Sequence, residues 1–165
     1  MRDRRDLIEH LPRLRRYARA LTGDRSRADD LVQDTLERTL AKLDLWQPGG
    51  DLRAWLFTLM HNLFVNQFRG RRLAETTLED ALDEAVNGGQ LEALAARDIH
   101  DALARLPSEQ REVLLLVGLE QFGYAEAAQV LGVPTGTVMS QLSRARERMR
   151  QMLADQPAIR LKLVK

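Results

Sequence analysis

The chain has 165 residues, 44% hydrophobic and 5% aromatic, which suffices for one large or two small helical domains. With no cysteine, a disulfide framework and a thiolate metal site are excluded, and no apolar run reaches the roughly twenty residues of a membrane span. The net charge of +1 conceals a segregation. Residues 1–73 hold 15 Lys and Arg against 10 Asp and Glu (+5), residues 74–101 hold one against 8 (−7), and residues 102–165 hold nine against 6 (+3).

Two basic bodies, the electrostatic footprint expected for contact with phosphates, thus flank an acidic connector. The N-terminus, Met1-Arg2-Asp3-Arg4-Arg5-Asp6, lacks the apolar region of a signal peptide. The expectation is a soluble, cytoplasmic protein without membrane insertion.

Every predicted element is helical, so the fold class is all-α. Leu7 to Leu21 is apolar at helical spacing, with a break or restart expected near Pro12, because proline fits only a first turn. Thr22-Gly23-Asp24 closes this element. Ser26-Arg27-Ala28-Asp29 resembles a capping box and opens a second helix, with a stripe of Leu31, Thr35 or Leu36, Thr39 or Leu40, and Leu43. Its other side carries Asp30, Asp34 and Glu37 at i, i+4, i+7, together with Gln33. Like charges at that spacing repel slightly, so helix stability does not explain the face; a solvated surface and a docking face for a basic partner helix both fit.

Trp46-Gln47-Pro48-Gly49-Gly50 is a loop, and Asp51 caps a third helix predicted to run to about Arg69. Leu52, Leu56, Leu59 and Leu63 form its core stripe. Trp55, Phe57, Phe64 and Phe68 interleave with Asn62, Asn66, Gln67 and the terminal Arg69, Arg71 and Arg72. Most of these rings suit a small core, Trp55 above all. Aromatics beside amides and cations are also what unpaired bases and their phosphates require. His61 has no companion ligands and makes no metal site.

Ala74 to Gly89 is acidic, alanine-rich and ends in Asn87-Gly88-Gly89, which marks a domain boundary. Amphipathic helices follow at Gln90 to Arg105 and Ser108 to Glu120, separated by Leu106-Pro107. The last stretch, Tyr124 to Arg148, reads as a helix-turn-helix. Ala127 and Ala128 permit close approach of two helices, Gly132 supplies a left-handed end to the first, and Pro134 prevents its continuation. Thr135 or Thr137 would cap the second helix. There Val138, Leu142, Ala145 and Met149 form a buried stripe, while Thr137, Ser140, Gln141, Arg144, Arg148 and Arg150 lie off it. Hydroxyl, amide and guanidinium groups on an exposed helix suit a DNA groove. No nucleophile with a partnered base, phosphate loop or metal cluster occurs, so no enzyme activity, cofactor or small-molecule substrate is expected.

Several motifs occur in order: Asp30-Leu31-Val32-Gln33-Asp34-Thr35, Trp55-Leu56-Phe57-Thr58 with Asn62, Arg69-Gly70-Arg71-Arg72, Leu106-Pro107, Gly136-Thr137-Val138, and Ser143-Arg144-Ala145-Arg146. In this order and spacing, and over nearly the whole chain, they resemble the extracytoplasmic-function (ECF) class of bacterial RNA polymerase sigma factors. The resemblance implies a region 2 over residues 1–73, an acidic linker with the start of the next helix over 74–101, and a region 4 over 102–165. It implies that Asp30, Gln33, Asp34 and Glu37 dock on core RNA polymerase. Trp46, Asn62, Asn66, Arg69, Arg71 and Arg72 would handle the minus-ten promoter DNA, with Trp46 and Asn62 holding a flipped base. Thr137, Ser140, Gln141, Arg144, Arg146 and Arg148 would read the minus-thirty-five element. An anti-sigma factor is a further implied partner. The chain departs from the family at Met139-Ser140-Gln141, where basic residues usually flank the serine. The alternatives are a helix-turn-helix repressor, which would be a dimer indifferent to polymerase, and a sigma-like decoy for an anti-sigma factor.

Overall fold

The computed structural model describes residues 2–46, 49–67 and 90–154. Among them lie seven helices, and the all-α expectation holds: α1 (Arg2–Thr22), α2 (Arg25–Lys42), α3 (Leu52–Gln67), α4 (Gln90–Arg105), α5 (Ser108–Leu114), α6 (Tyr124–Leu131) and α7 (Thr135–Ala154). A short 3-10 turn, Leu43–Leu45, extends α2, and a π turn, Leu115–Leu119, extends α5. The connector at 74–89 lies outside the described residues.

The N-terminal body packs α1 on α2 and α2 on α3. Helix α1 does not break at Pro12, contrary to the sequence expectation. Proline leaves the carbonyl four residues earlier without its helical donor. Here that residue is Ile8, which is 68% exposed, so water can take the place of the missing N–H. The start of α2 also differs from the predicted capping box. Asp24 is its N-cap, extended at φ −139°, and its carboxylate accepts from the backbone N–H groups of Ser26 and Arg27 at 2.8 and 3.4 Å.

The open choices in the α2 stripe resolve toward threonine: Thr35 and Thr39 are fully buried, and Leu40 is 53% exposed. Each hydroxyl donates to the carbonyl one turn back, Leu31 O and Thr35 O, both at 2.7 Å, so burial leaves neither unsatisfied. On α3, Leu52, Leu56, Leu59 and Leu63 are buried as expected, and so are Phe57 and Phe64. The helix begins where Asp51 Oδ1 accepts from Ala54 N at 3.2 Å. Phe68 and Arg69 lie outside the described residues.

In the C-terminal body, α7 packs on α4, α5 and α6. Gly132 adopts φ +67°, ψ +35°, and its N–H and that of Val133 bond back to the carbonyls of Gln129 and Ala128 at 3.3 and 3.1 Å, closing α6 as predicted. The last helix starts at Thr135, with Pro134 O accepting from the N–H groups of Thr137 and Val138, so Pro134 holds the cap position and neither Thr135 nor Thr137 caps the helix.

The two bodies are in contact. Buried side chains from Leu7 to Leu142 form one continuous apolar cluster, with α1 against α4, α5 and the π turn, and α3 against α6. Arg111, 2% exposed, links the two bodies. Its guanidinium donates to Leu103 O (2.7 Å), Ala104 O (3.1 Å) and Leu106 O (2.8 Å) at the end of α4, and to Leu21 O (3.0 Å) in the last turn of α1. Burial pulls its pKa below the ordinary guanidinium value while neighbouring Glu112 works the other way. The charge is retained because two negative helix ends converge on it.

Two outcomes test this packing. Arg111→Met, which fills the space but takes a donor from each of four carbonyls, of which Leu103 O keeps the Leu106 N–H, is expected to lower unfolding free energy by about 3–5 kcal/mol in urea titration. Tyr17 is fully buried, and burial first, then Glu112 and Glu120, raise its pKa well above the ordinary tyrosine value of 10.0. Its contribution is therefore complete below that value and is lost as pH climbs through it toward the raised one. Thermal midpoints should fall steeply above about pH 10, and more gently in Tyr17→Phe.

Candidate functional site

The surface of α2 opposite its threonine stripe is open. Asp30, Gln33 and Glu37 are exposed and Asp34 is half-buried. Gln33 Nε2 donates to Glu37 Oε1 at 3.3 Å, an i, i+4 bond that orients one carboxylate. The four residues expected to act together do share one solvent-facing side of one helix.

The second predicted set divides. Asn62 and Asn66 are exposed on α3. Trp46 is half-buried and stacks on Trp55, with centroids 6.4 Å apart and planes 25° apart. Arg69, Arg71 and Arg72 lie outside the described residues. The other α3 rings are not a surface for bases: Phe57 stands edge-on to Tyr17 at 5.1 Å and to Phe122 at 5.3 Å, inside the core.

The third set lies on α7. Ser140, Arg144, Arg146 and Arg148 are exposed, whereas Thr137 and Gln141 are half-buried at the edge of the Val138, Leu142 and Ala145 stripe. Arg150 pairs with Glu147 at 3.8 Å, which moderates the charge of the last turns. Among the described residues no group of His, Cys, Asp and Glu could hold a metal ion, and no helix is long and apolar enough to cross a membrane.

What sequence reading missed is the polar seam between the bodies. His61 Nδ1 of α3 lies 2.6 Å from Glu112 Oε1 of α5, both buried. Glu120, its side chain fully buried, meets Arg16 of α1 through Oε1 at 3.2 Å, and its Oε2 has no hydrogen-bond partner among the described residues. Arg53 of α3 donates to Glu120 O at 3.1 Å, lies 4.0 Å over the Phe122 ring and reaches Glu126 at 3.6 Å. The π turn makes this possible. Glu120 N bonds to Leu115 O and Phe122 N to Leu116 O, Gln121 takes φ +58°, and the chain doubles back so that Glu120 and Phe122 face the N-terminal body. The only sequence signal was a buried-type polar pattern in an otherwise apolar helix, Gln110-Arg111-Glu112, which read as ordinary amphipathicity.

Residues 7–61 match the family described as the Sigma2 domain of PhyR, and residues 96–149 match Sigma-70, region 4. Among curated relatives, the ECF RNA polymerase sigma factor EcfG of Rhodopseudomonas palustris is 41% identical over 91% of this chain and 84% of that protein. The chain belongs to the ECF sigma factor family. SigL of Mycobacterium tuberculosis is 34% identical over 89% of this chain and 86% of its own. Among solved structures, the sigma factor RpoE of Bartonella quintana, in complex with the anti-sigma factor NepR, superposes with a TM-score of 0.77 at 36% identity, covering 94% of this chain and 99% of that one. CnrH, in complex with the cytosolic domain of CnrY, gives 0.70 at 28% identity, covering 92% and 87%. This sigma factor accordingly belongs to a family of non-enzymatic transcription factors.

Removing a partner from the seam should loosen it. His61→Ala is expected to lower unfolding free energy by about 2–4 kcal/mol, because it removes the buried imidazole that faces the Glu112 carboxylate at 2.6 Å and leaves a cavity in its place. Small-angle scattering should then show a larger radius of gyration than the wild type.

Proposed function

We propose that this sigma factor docks on core RNA polymerase through Asp30, Gln33, Asp34 and Glu37 of α2. Promoter DNA is engaged at two places. Trp46, Asn62 and Asn66, with Arg69, Arg71 and Arg72, act at the minus-ten element, and Ser140, Arg144, Arg146 and Arg148 of α7, edged by Thr137 and Gln141, act at the minus-thirty-five element. The observation that carries this reading is the helix-turn-helix itself: a glycine-closed turn presents a helix with exposed arginines on both shoulders of its outward face, Arg144 and Arg148 on one and Arg146 and Arg150 on the other, on the same chain as an open acidic helix face. The Trp46–Trp55 stack supports the minus-ten assignment, since an aromatic platform offsets the few kcal/mol of stacking lost by an extruded base.

The packed bodies set a condition on that function. A 165-residue body is roughly 40 Å across, by the usual scaling of radius of gyration with length. Elements centred twenty-five base pairs apart are separated by about 85 Å at 3.4 Å per pair. With α3 against α6 the chain does not reach both, so promoter engagement requires the seam to open. The arrangement resembles that of the relative crystallised with NepR, because a superposition over 94% of this chain takes in both bodies. We infer that an anti-sigma factor is the partner that favours the packed form.

A sigma-like decoy is the second reading, favoured by the match of residues 7–61 to the PhyR sigma2 family. Adding the purified chain to core RNA polymerase and mapping the promoters that open separates the possibilities. Binding to core polymerase with opening of a defined promoter set is the expected result. Tight binding to duplex DNA without affinity for core polymerase favours the repressor, and binding to an anti-sigma factor without either favours the decoy. Arg144→Ala should also reduce the log-log salt slope of holoenzyme binding by about 0.9, the value of one phosphate contact.

A further inference from the structure

The middle of the α7 face is not basic. Gly136, Met139, Ser140 and Ser143 fall at i, i+3, i+4, i+7, all exposed, on the side turned away from the Val138, Leu142 and Ala145 stripe. Arg144 and Arg148 lie on one shoulder of this patch and Arg146 on the other, as helical spacing requires. No group stands within 4 Å of where a Gly136 side chain would begin, so the backbone there is open to close approach. Ser140 Oγ donates its hydrogen to Thr137 O at 3.1 Å, which leaves its lone pairs to face outward.

Met139 is 52% exposed, and of the large apolar side chains left exposed among the described residues it alone stands on α7. Its side chain carries no charge for phosphate binding, and it stands exposed on one edge of the patch beside Ser143 and Arg146. Of the groups that base pairs present in the major groove, the 5-methyl of thymine is the apolar one. A thioether side chain is flexible and polarisable, and covers a methyl group without needing fixed geometry. The partner adenine presents an amino donor beside that methyl, which suits the outward lone pairs of Ser140.

We propose that Met139 is a specificity-determining residue that reads a thymine of the upstream promoter element through its 5-methyl group, with the arginines on both shoulders holding the flanking phosphates. This rests on the promoter-reading role of α7 proposed above and assigns one base contact within it.

The test uses holoenzyme reconstituted from core polymerase and the full chain, on a promoter that it opens. Each thymine of the upstream element, on either strand, is replaced in turn by uracil, which keeps base pairing and loses only the methyl. Wild-type holoenzyme is expected to bind about fourfold more weakly at one such position, the worth of one buried methyl. Met139→Ala should bind thymine and uracil equally there, at the wild-type level on uracil, while Met139→Leu keeps a preference for thymine. Equal binding of thymine and uracil by the wild type at every position, with opening intact, overturns the proposal and leaves the sigma function standing. So does an upstream element without an A·T pair. Loss of core polymerase or anti-sigma binding in Met139→Ala without DNA shows that the side chain faces protein, and also overturns it. If no promoter opens at all, the sigma function fails and this assignment goes with it. Because Met139 is exposed, an unchanged melting temperature in both variants shows that the fold is intact.

Discussion

Arg111 is the group around which both bodies are arranged. Its charge is buried where the last turns of α1 and α4 bring their carbonyls together, and all four hydrogen bonds it makes there are to backbone oxygens. Helix ends of this kind need donors, and a buried guanidinium needs acceptors. Each need answers the other only if α1, α4 and α5 meet at one point. That geometry places Glu112 next along the chain within reach of His61, and continues through the π turn to Glu120 and Phe122. The seam is in this sense an extension of one buried cation.

The composition of the seam suits the opening proposed above. A purely apolar junction would be hard to reverse, whereas beside its shared apolar cluster this one contains a carboxylate with one oxygen unpartnered among the described residues and an arginine, Arg16, whose side chain is 56% exposed. On separation, water can solvate Glu120, Arg16 and Arg53, which recovers part of the energy lost with the contacts. The opening proposed above is served by an interface of this balance, and by the three Arg111 bonds that lie within the C-terminal body.

Much of the candidate surface was legible in its geometry because that depends on local rules. The acidic face of α2 follows from helical spacing alone, and the α6–α7 turn follows from Gly132 and Pro134. Legibility failed where a residue had two possible partners. Phe57 and Phe64 fitted either core or stacked bases, and only the position of Tyr17 and Phe122 decided for core. Pro12 followed the general rule against interior proline, yet an exposed Ile8 made the lost bond tolerable. Gln141 was taken as fully outward, although the width of the buried stripe half-covers it.

By itself the sequence determined the helices, their caps to within a few residues, the helix-turn-helix and the family, since these arise from interactions within about five residues or from ordered motifs. Tertiary structure decided which ambiguous side chains are core, and that the two bodies pack together. The contacts responsible join residues 51, 90 and 104 positions apart: His61 with Glu112, Arg111 with Leu21, and Arg16 with Glu120. No periodicity spans such separations. A buried ion's partner is fixed by where the chain has folded back, and that is information carried by packing rather than by neighbouring residues.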